Sequence, residues 1–494
     1  MFENVVSCIS DIAVRIWYFG VQTFRTRSLK SKSMNTHQRR RTSSWSLTED
    51  HETHVDGFED TLFEQTGELS FLQALFTSLN YNLGLAALCF PHDITEAGWL
   101  GFIMMLGACI VCWATALMLG NILDHDSTLA SYADIGAGAT RNVGLHRYAH
   151  MASTSIRLVQ VMELFCYLAY GIKASEEALI QLLEDTSSLE LYGILIVLVA
   201  PLLFVTTWPR MLSFLSLLGT ATFAAVYLLI VGSSVSQVLQ FGLKGEDMVF
   251  MSSDIKRVSM SYGCILLLFA GHAVYPSLHA NLHRKEDYPK VVNYTFVVLL
   301  FGLVSIALLS IVAWGVDGIS ELPTGSLPNG LLNVAGQCLL ILKCLMAYPL
   351  MMYPITSELI GLWTHSRARS FSIEPYTLTP LLRHADSESA ESHLVGLQYS
   401  PFLPRVSSPS SQSYILRDSG VSFAVSVLVF LVAGFVSSLG ILMSFVGAIF
   451  AVSLAVTFPG LCYLCIFGRH SLYLSLIAIF FGIASTAFAL FGFL

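Results

Sequence analysis

The stretch Phe269-Ala270-Gly271-His272-Ala273-Val274-Tyr275-Pro276 puts a glycine, a histidine and a proline close together inside an otherwise apolar run from 258 to 281. An uninterrupted helix is poorly served by that turn, because Gly and Pro both cost helix stability there. A second stretch shows the same signal near the start of the apolar region: Leu79-Asn80-Tyr81-Asn82-Leu83-Gly84-Leu85-Ala86-Ala87-Leu88-Cys89-Phe90-Pro91. Gly84 and the flanking Asn80 and Asn82 permit a break at mid-depth. Non-helical backbone at membrane depth is tolerated only where it is enclosed by protein or lines a cavity. Two broken spans at corresponding places in two halves are the sequence pointer to a midplane binding site.

The rest of the chain supports the membrane reading. Of its 494 residues, 54% are hydrophobic and 12% charged, about half the roughly 25% charge of soluble domains. Mean hydropathy is +0.65. So few charges cannot cover a globular surface of this size, which excludes a soluble enzyme and a disordered scaffold. With 26 Lys and Arg against 34 Asp and Glu, net charge is −8, so nucleic acid is not an expected partner. A helix needs about 20 apolar residues to cross a bilayer. Eleven such segments are predicted, near 70–91, 99–123, 155–183, 191–206, 212–240, 258–281, 289–316, 330–362, 420–437, 440–467 and 471–493. The breaks fall in spans one and six, five apart, as two inverted five-helix repeats require.

The organisation follows: a cytosolic tail over 1–68, spans one to eight over 69–363, a Ser- and Pro-rich loop over 364–418 read as disordered, and spans nine to eleven over 419–494. Residues 1–24 lack a basic leader and are not read as a cleaved signal. Phe2, Val5, Val6, Ile9, Ile12, Ala13, Ile16 and Trp17 recur at helical spacing instead, which predicts an amphipathic helix over 2–24.

Orientation follows from the Lys and Arg count. With the N-terminus cytosolic, twenty-one basic residues fall on the cytosolic side, and only Lys244, Lys256 and Arg257 fall opposite. The positive-inside rule favours that arrangement. Eleven spans then place the C-terminus in a lumen, and the sequon at Asn293 falls at a cytosolic helix start.

Of the ten cysteines, nine lie in apolar runs and read as small packing residues. Cys109-x-x-Cys112 and Cys462-x-x-Cys465 have redox or zinc spacing without a second ligand pair, so no metal site is expected.

At the two breaks the chain resembles the amino acid/auxin permease family, and most closely its vacuolar amino-acid transporter branch. The family's first-helix Asn, Gly-x-Gly-x-Leu, Pro and Gly-Trp are met by Asn80, Gly84, Leu88, Pro91 and Gly98-Trp99, with Ala86 in place of the second glycine. Its Gly-His-Ala-Val-Phe-Pro is met by Gly271-His272-Ala273-Val274-Tyr275-Pro276. Tyr132-Ala133-Asp134-Ile135-Gly136 and Glu163-Leu164-Phe165 are weaker matches. The Lys-Tyr of the family's eighth helix is replaced by Ala347-Tyr348, with Lys343 one turn earlier. The resemblance implies an all-α polytopic membrane protein with the leucine-transporter-like 5+5 inverted repeat and eleven transmembrane helices. It also implies proton-coupled movement of amino acids across an organelle membrane.

The expected substrate site comprises Asn80, Leu83, Gly84, Leu85, Ala86, Ala87, Tyr167, Ala270, Gly271, His272 and Ala273, with the half-helix N-termini facing a carboxylate. Ionisable residues inside a membrane are expensive and mark function. His272, Glu163 and Lys343 are therefore the expected proton-coupling residues. His272 titrates near neutral pH in its unperturbed form, and a helix-break hydrogen bonder is its alternative role. Glu163 either carries the proton or pairs with Lys173 or Lys343. Thr356 and Ser357 are weaker candidates for an ion site. No cofactor is expected: the energy source is the proton gradient, with sodium second. The expected partners are an amino acid, protons and the lipid bilayer, in a vacuolar or lysosomal membrane. A plasma-membrane or vesicular permease and an amino-acid sensor that does not transport remain alternatives. An enzyme is not expected, since the spans hold no nucleophile–base pair.

Overall fold

The computed structural model describes residues 69–371 and 412–494, apart from 127, 130, 184–185, 206–208, 245–247 and 329. The tail, with its expected amphipathic helix, and most of the 364–418 loop lie outside the described residues. The two ends of that loop are helical: the helix of span eight continues to Phe371 and that of span nine begins at Gln412. Arg and Ala among residues 366–369 favour helix, and no Gly or Pro stops it before Phe371.

Helices follow in chain order as α1 Phe71–Asn82, α2 Leu85–Ala97, α3 Leu100–His125, α4 Tyr132–Asn142, α5 Ala149–Leu182, α6 Ser188–Val205 and α7 Pro209–Phe241. Then come α8 Ile255–Leu267, α9 Tyr275–Asn281, α10 Tyr288–Trp314, α11 Leu331–Phe371, α12 Gln412–Phe435, α13 Leu439–Val446, α14 Phe458–Phe467 and α15 Leu472–Phe491. Among the described residues the only β pairing is an isolated parallel bridge, Leu69 with Leu282. Among the described residues, eight helical segments are long and apolar enough to cross a membrane, and Ser188–Leu203 and Ser419–Phe435 are shorter apolar helices. The first expected span is divided between α1 and α2.

Local chemistry sets these boundaries. Ser70 and Gln73 close a capping box at α1, with Ser70 N–H donating to Gln73 Oε1 at 2.9 Å. Ser131 and Asp134 do the same at α4, where Ser131 N–H donates to Asp134 Oδ2 at 3.0 Å. Asp134 is thus a capping residue. Gly98 ends α2 at φ 76°, where a Cβ would lie 2.7 Å from Val249 O; only glycine suits that turn.

The broken span six is the centre of the bundle. In Ile255–Asn281, 89% of the most apolar stretch is buried, against 28% in Leu472–Phe491. Outward faces carry Val197, Leu217, Phe301 and Phe480, all mostly exposed, as a lipid-immersed surface requires. The nine described cysteines are free. Asn293 Oδ1 accepts from Trp113 Nε1 at 2.7 Å, so the sequon asparagine is a packing residue.

The two broken spans are joined at both faces. At the first face, Leu69 N–H donates to Asn281 O (2.9 Å) and His283 N–H to Leu69 O (3.0 Å), which ties the start of α1 to the end of α9. At the second face, Trp99 N–H donates to Val249 O (3.1 Å) and Leu100 N–H to Phe250 O (2.9 Å). This ties the end of α2 to the segment that leads into α8. The half-helices therefore pair as α1 with α9 and α2 with α8.

Candidate functional site: the junction of two broken helices

Helix α1 stops at Asn82, Leu83 N–H closes back on Leu79 O at 2.7 Å, and Gly84 is extended (φ −84°, ψ −170°). Helix α2 then begins at Leu85 with no side-chain cap on Gly84. The break is thus two residues long. The expected site residues Leu85, Ala86 and Ala87 are buried in the first turn of α2 and not unwound, because only Gly84 carries the helix-breaking preference. Ala87 N–H donates back to Gly84 O at 3.2 Å, while the N–H groups of Leu85 and Ala86 precede the first intrahelical bond, so the start of α2 offers donors and a positive dipole end. A Cβ built on Gly84 meets nothing within 4 Å. Space is therefore open beside the break.

In span six, α8 ends at Leu267, a 3₁₀ turn covers Gly271–Val274, and α9 starts at Tyr275 with Pro276 in its first turn. Ala270, Gly271 and His272 are buried and Ala273 is half-buried. Asn82 joins the two breaks: its Oδ1 accepts from Gly271 N–H at 3.3 Å while its Nδ2 donates to Ser78 O at 2.9 Å. A Cβ on Gly271 would lie 2.5–2.8 Å from the Asn82 side chain. Glycine is needed at 271 for that approach.

His272 is fully buried. Its Nε2 is 2.9 Å from Cys112 O and 3.1 Å from Thr115 Oγ1, and its Nδ1 is 3.2 Å from Phe269 O. Thr115 Oγ1 also lies 2.7 Å from Ala455 O. Carbonyls thus face both ring nitrogens. A neutral imidazole donates to one of them; an imidazolium donates to both. Ala455 belongs to a run of π-helical turns, Gly447–Ala451 and Ser453–Thr457, whose Leu454 O accepts from the Tyr132 hydroxyl. Such π turns recur at functional sites.

Asn80 and Lys343 form a second group. Lys343, 5% exposed, donates from Nζ to Asn80 Oδ1 at 3.3 Å and sits 5.7 Å from the Phe223 ring centre. Asn80 Nδ2 donates to Ser216 Oγ at 2.8 Å. Lys343 therefore reads the end of α1 from α11. Among the described residues Glu163 forms no ion pair with either lysine. Lys173 pairs with Glu176 at 2.8 Å, since a residue ten positions along a helix is about 15 Å away. Glu163 is 2% exposed, its Oε1 has no partner among the described residues, and Tyr167 and Tyr81 are its neighbours. Thr356 bonds back to Met352 O at 2.9 Å and meets Ser422 Oγ at 3.0 Å, a packing role.

Sequence reasoning missed Thr115, the Cys112 carbonyl and the π-helical run. Thr115 gives no signal in an apolar run, where a hydroxyl also back-bonds, here to Val111 O at 3.0 Å. Among the described residues no group of three His, Cys, Asp or Glu is placed to hold a metal.

A helical bundle with an apolar exterior and two interrupted helices meeting in its interior defines a multi-pass membrane protein. The chain belongs to the family described as transmembrane amino acid transporter protein, whose sequence profile matches residues 67–494. That is a family of membrane transporters, not of enzymes. Amino acid transporter AVT1J of Arabidopsis thaliana is 25% identical over 431 residues, which is 84% of this chain and 88% of that protein. The vesicular inhibitory amino acid transporter of Xenopus laevis is 23% identical over 301 residues, 58% of this chain and 55% of that one. Among solved structures, Mhp1 (a nucleobase-cation-symport-1 family transporter, closed, with bromovinylhydantoin bound) aligns at a TM-score of 0.46 and 10% identity. That alignment covers 86% of this chain and 93% of Mhp1.

Proposed function

We propose that this chain is a secondary active carrier of amino acids, driven by protons across a vacuolar or lysosomal membrane, that works by alternating access about the junction of α1–α2 with α8–α9. The N-terminus is cytosolic and the C-terminus luminal, so the first face is cytosolic and the second luminal. The eleven spans form two inverted five-helix repeats, with one broken helix in each.

The observation that carries the reading is the uncapped start of α2 at Gly84, with open space beside it and the span-six break tied across it by Asn82. The N–H groups of Leu85 and Ala86 there suit the substrate carboxylate. The unpartnered Glu163 oxygen and the Tyr167 hydroxyl supply polar groups nearby. His272 and Lys343 are the proton-coupling groups because each contacts a broken helix directly: His272 lies within one, and Lys343 bonds Asn80 at the end of α1. Glu163 is the third. The vacuolar assignment draws on the resemblance to the AVT1 transporters.

The energetics fit. One pH unit corresponds to about 1.36 kcal/mol per proton. A lumen about two units more acidic supplies roughly 2.7 kcal/mol, enough for about a hundredfold gradient. Purified protein in proteoliposomes, given a pool of labelled amino acids, tests the proposal. Accumulation that collapses with a protonophore is expected. Equilibration indifferent to the gradient overturns proton coupling, and saturable binding without movement overturns transport in favour of a sensor.

A further inference from the structure

Beyond the junction, one buried carboxyl group has no role in the site described so far. Asp93 lies near the end of α2, the luminal half of span one; it is 7% exposed, and its Oδ2 has no partner among the described residues. Cys264 of α8 is beside it. The Cys264 Sγ is 3.5 Å from Gly440 O at the start of α13. The Gly440 N–H in turn donates to Glu321, whose Oε1 also lies 3.3 Å from Ser438 Oγ. Asp93 therefore sits where α2, α8, α13 and the loop before α11 close on one another.

The charges that face it are all acidic. They are Glu321, already engaged with the start of α13, and Glu96, which pairs with Arg257 at 3.4 Å. Helices α3 and α10 also pack on α2, but their charged residues Asp124, His125 and Lys290 lie at the opposite end. An ionised carboxylate buried without a counter-charge is strongly disfavoured. Closure of the α2–α8 pair onto α13 and the loop before α11 is thus compatible with a neutral Asp93 and opposed by a charged one.

We propose that Asp93 is the proton-binding residue of the luminal gate, taking up one proton as the paired α2 and α8 close on α13 and the loop before α11 and releasing it to the lumen as they part. The proton comes from luminal water and returns there; no bond other than the carboxyl O–H forms or breaks. Luminal acid then favours the closed luminal gate, and with it the cytosol-open half of the cycle. This rests on the proton-driven reading above and adds the step at which luminal pH is sensed.

Cys264 reports the gate. Full-length protein in lipid nanodiscs is alkylated with a membrane-impermeant maleimide at pH values between about 5 and 8, and modification of the Cys264 peptide is measured by mass spectrometry. The same series is run on D93N, with D93S as a second neutral variant, so that the thiol's own pH dependence cancels in the rate ratio. The ratio of wild type to D93N is expected to rise with pH, by up to about tenfold per unit, the limit for one linked proton. A ratio that is flat for both variants overturns the proposal. Failure of the underlying reading looks different, because the unaltered protein then shows no gradient-driven accumulation while the alkylation ratio still varies.

Discussion

A methyl group at Gly271 tests whether the two breaks act as one unit. In Gly271→Ala the new Cβ would stand 2.5 Å from Asn82 Nδ2, 2.6 Å from Oδ1 and 2.8 Å from Cγ. Separations under about 3 Å between such atoms are not sustained, so the Asn82 amide must move. It then loses its bonds to Gly271 N–H and to Ser78 O, each worth about 1 kcal/mol net. Overpacking in a filled core adds roughly 1–3 kcal/mol. A total near 3–5 kcal/mol is expected, read as a fall of several degrees in the unfolding midpoint of detergent-purified protein together with loss of most uptake. Asn82→Ala removes the obstacle. The double variant should therefore be less destabilised than the sum of the two single variants, with a coupling of about 1–3 kcal/mol. If Gly271→Ala melts within a degree of the parent and transports normally, the close approach of the breaks is not structural. Strict additivity would show that Asn82 and Gly271 do not act through each other.

Two further substitutions probe the buried ionisable groups. His272→Ala should remove the dependence of gradient-driven uptake on pH; an unaltered profile removes its proton role. Lys343→Met should melt within about 1 kcal/mol of wild type, because an apolar chain of similar size replaces a buried charge without loss of packing. It should nonetheless abolish gradient-driven accumulation, which is measured in proteoliposomes, and normal accumulation would show the Nζ–Asn80 contact to be incidental.

Much of this was legible in the residues. The scarcity of charge against long apolar runs led directly to a spanning bundle, and the helix order follows those runs, although helices start earlier at Ala149 and Gln412 and run on to Phe371 where the sequence placed the ends near 155, 420 and 362. Both breaks were marked by helix-opposing chemistry, Gly84 among asparagines and Gly271 before Pro276, and both fall there. The extent of the first break was not legible. Leu85, Ala86 and Ala87 resume the helix at once because nothing in them opposes it, and their role in the site comes from backbone N–H groups at a helix start. Nor was the partner of each polar residue. Asn82 meets Gly271 from 189 positions away and Lys343 meets Asn80 from 263, so only the packed bundle chooses them. Glu163 was offered Lys173 by their shared helix, yet Lys173 is three residues from Glu176 and takes that neighbour. The π-helical run beside His272 has no composition that distinguishes it from α-helix, and its carbonyls matter only because Thr115 and Tyr132 reach them.

The substrate position is tested most directly at Gly84. Its backbone is not in the left-handed region and an added side chain has open space beside it, so Gly84→Leu leaves the fold intact while filling the volume assigned to the amino acid. Saturable binding of labelled amino acid is measured on the purified variant and the parent, alongside their unfolding midpoints. The expected result is a variant that melts like the parent and no longer binds or transports. Full binding and uptake in a folded Gly84→Leu protein would place the substrate elsewhere and contradict the central claim.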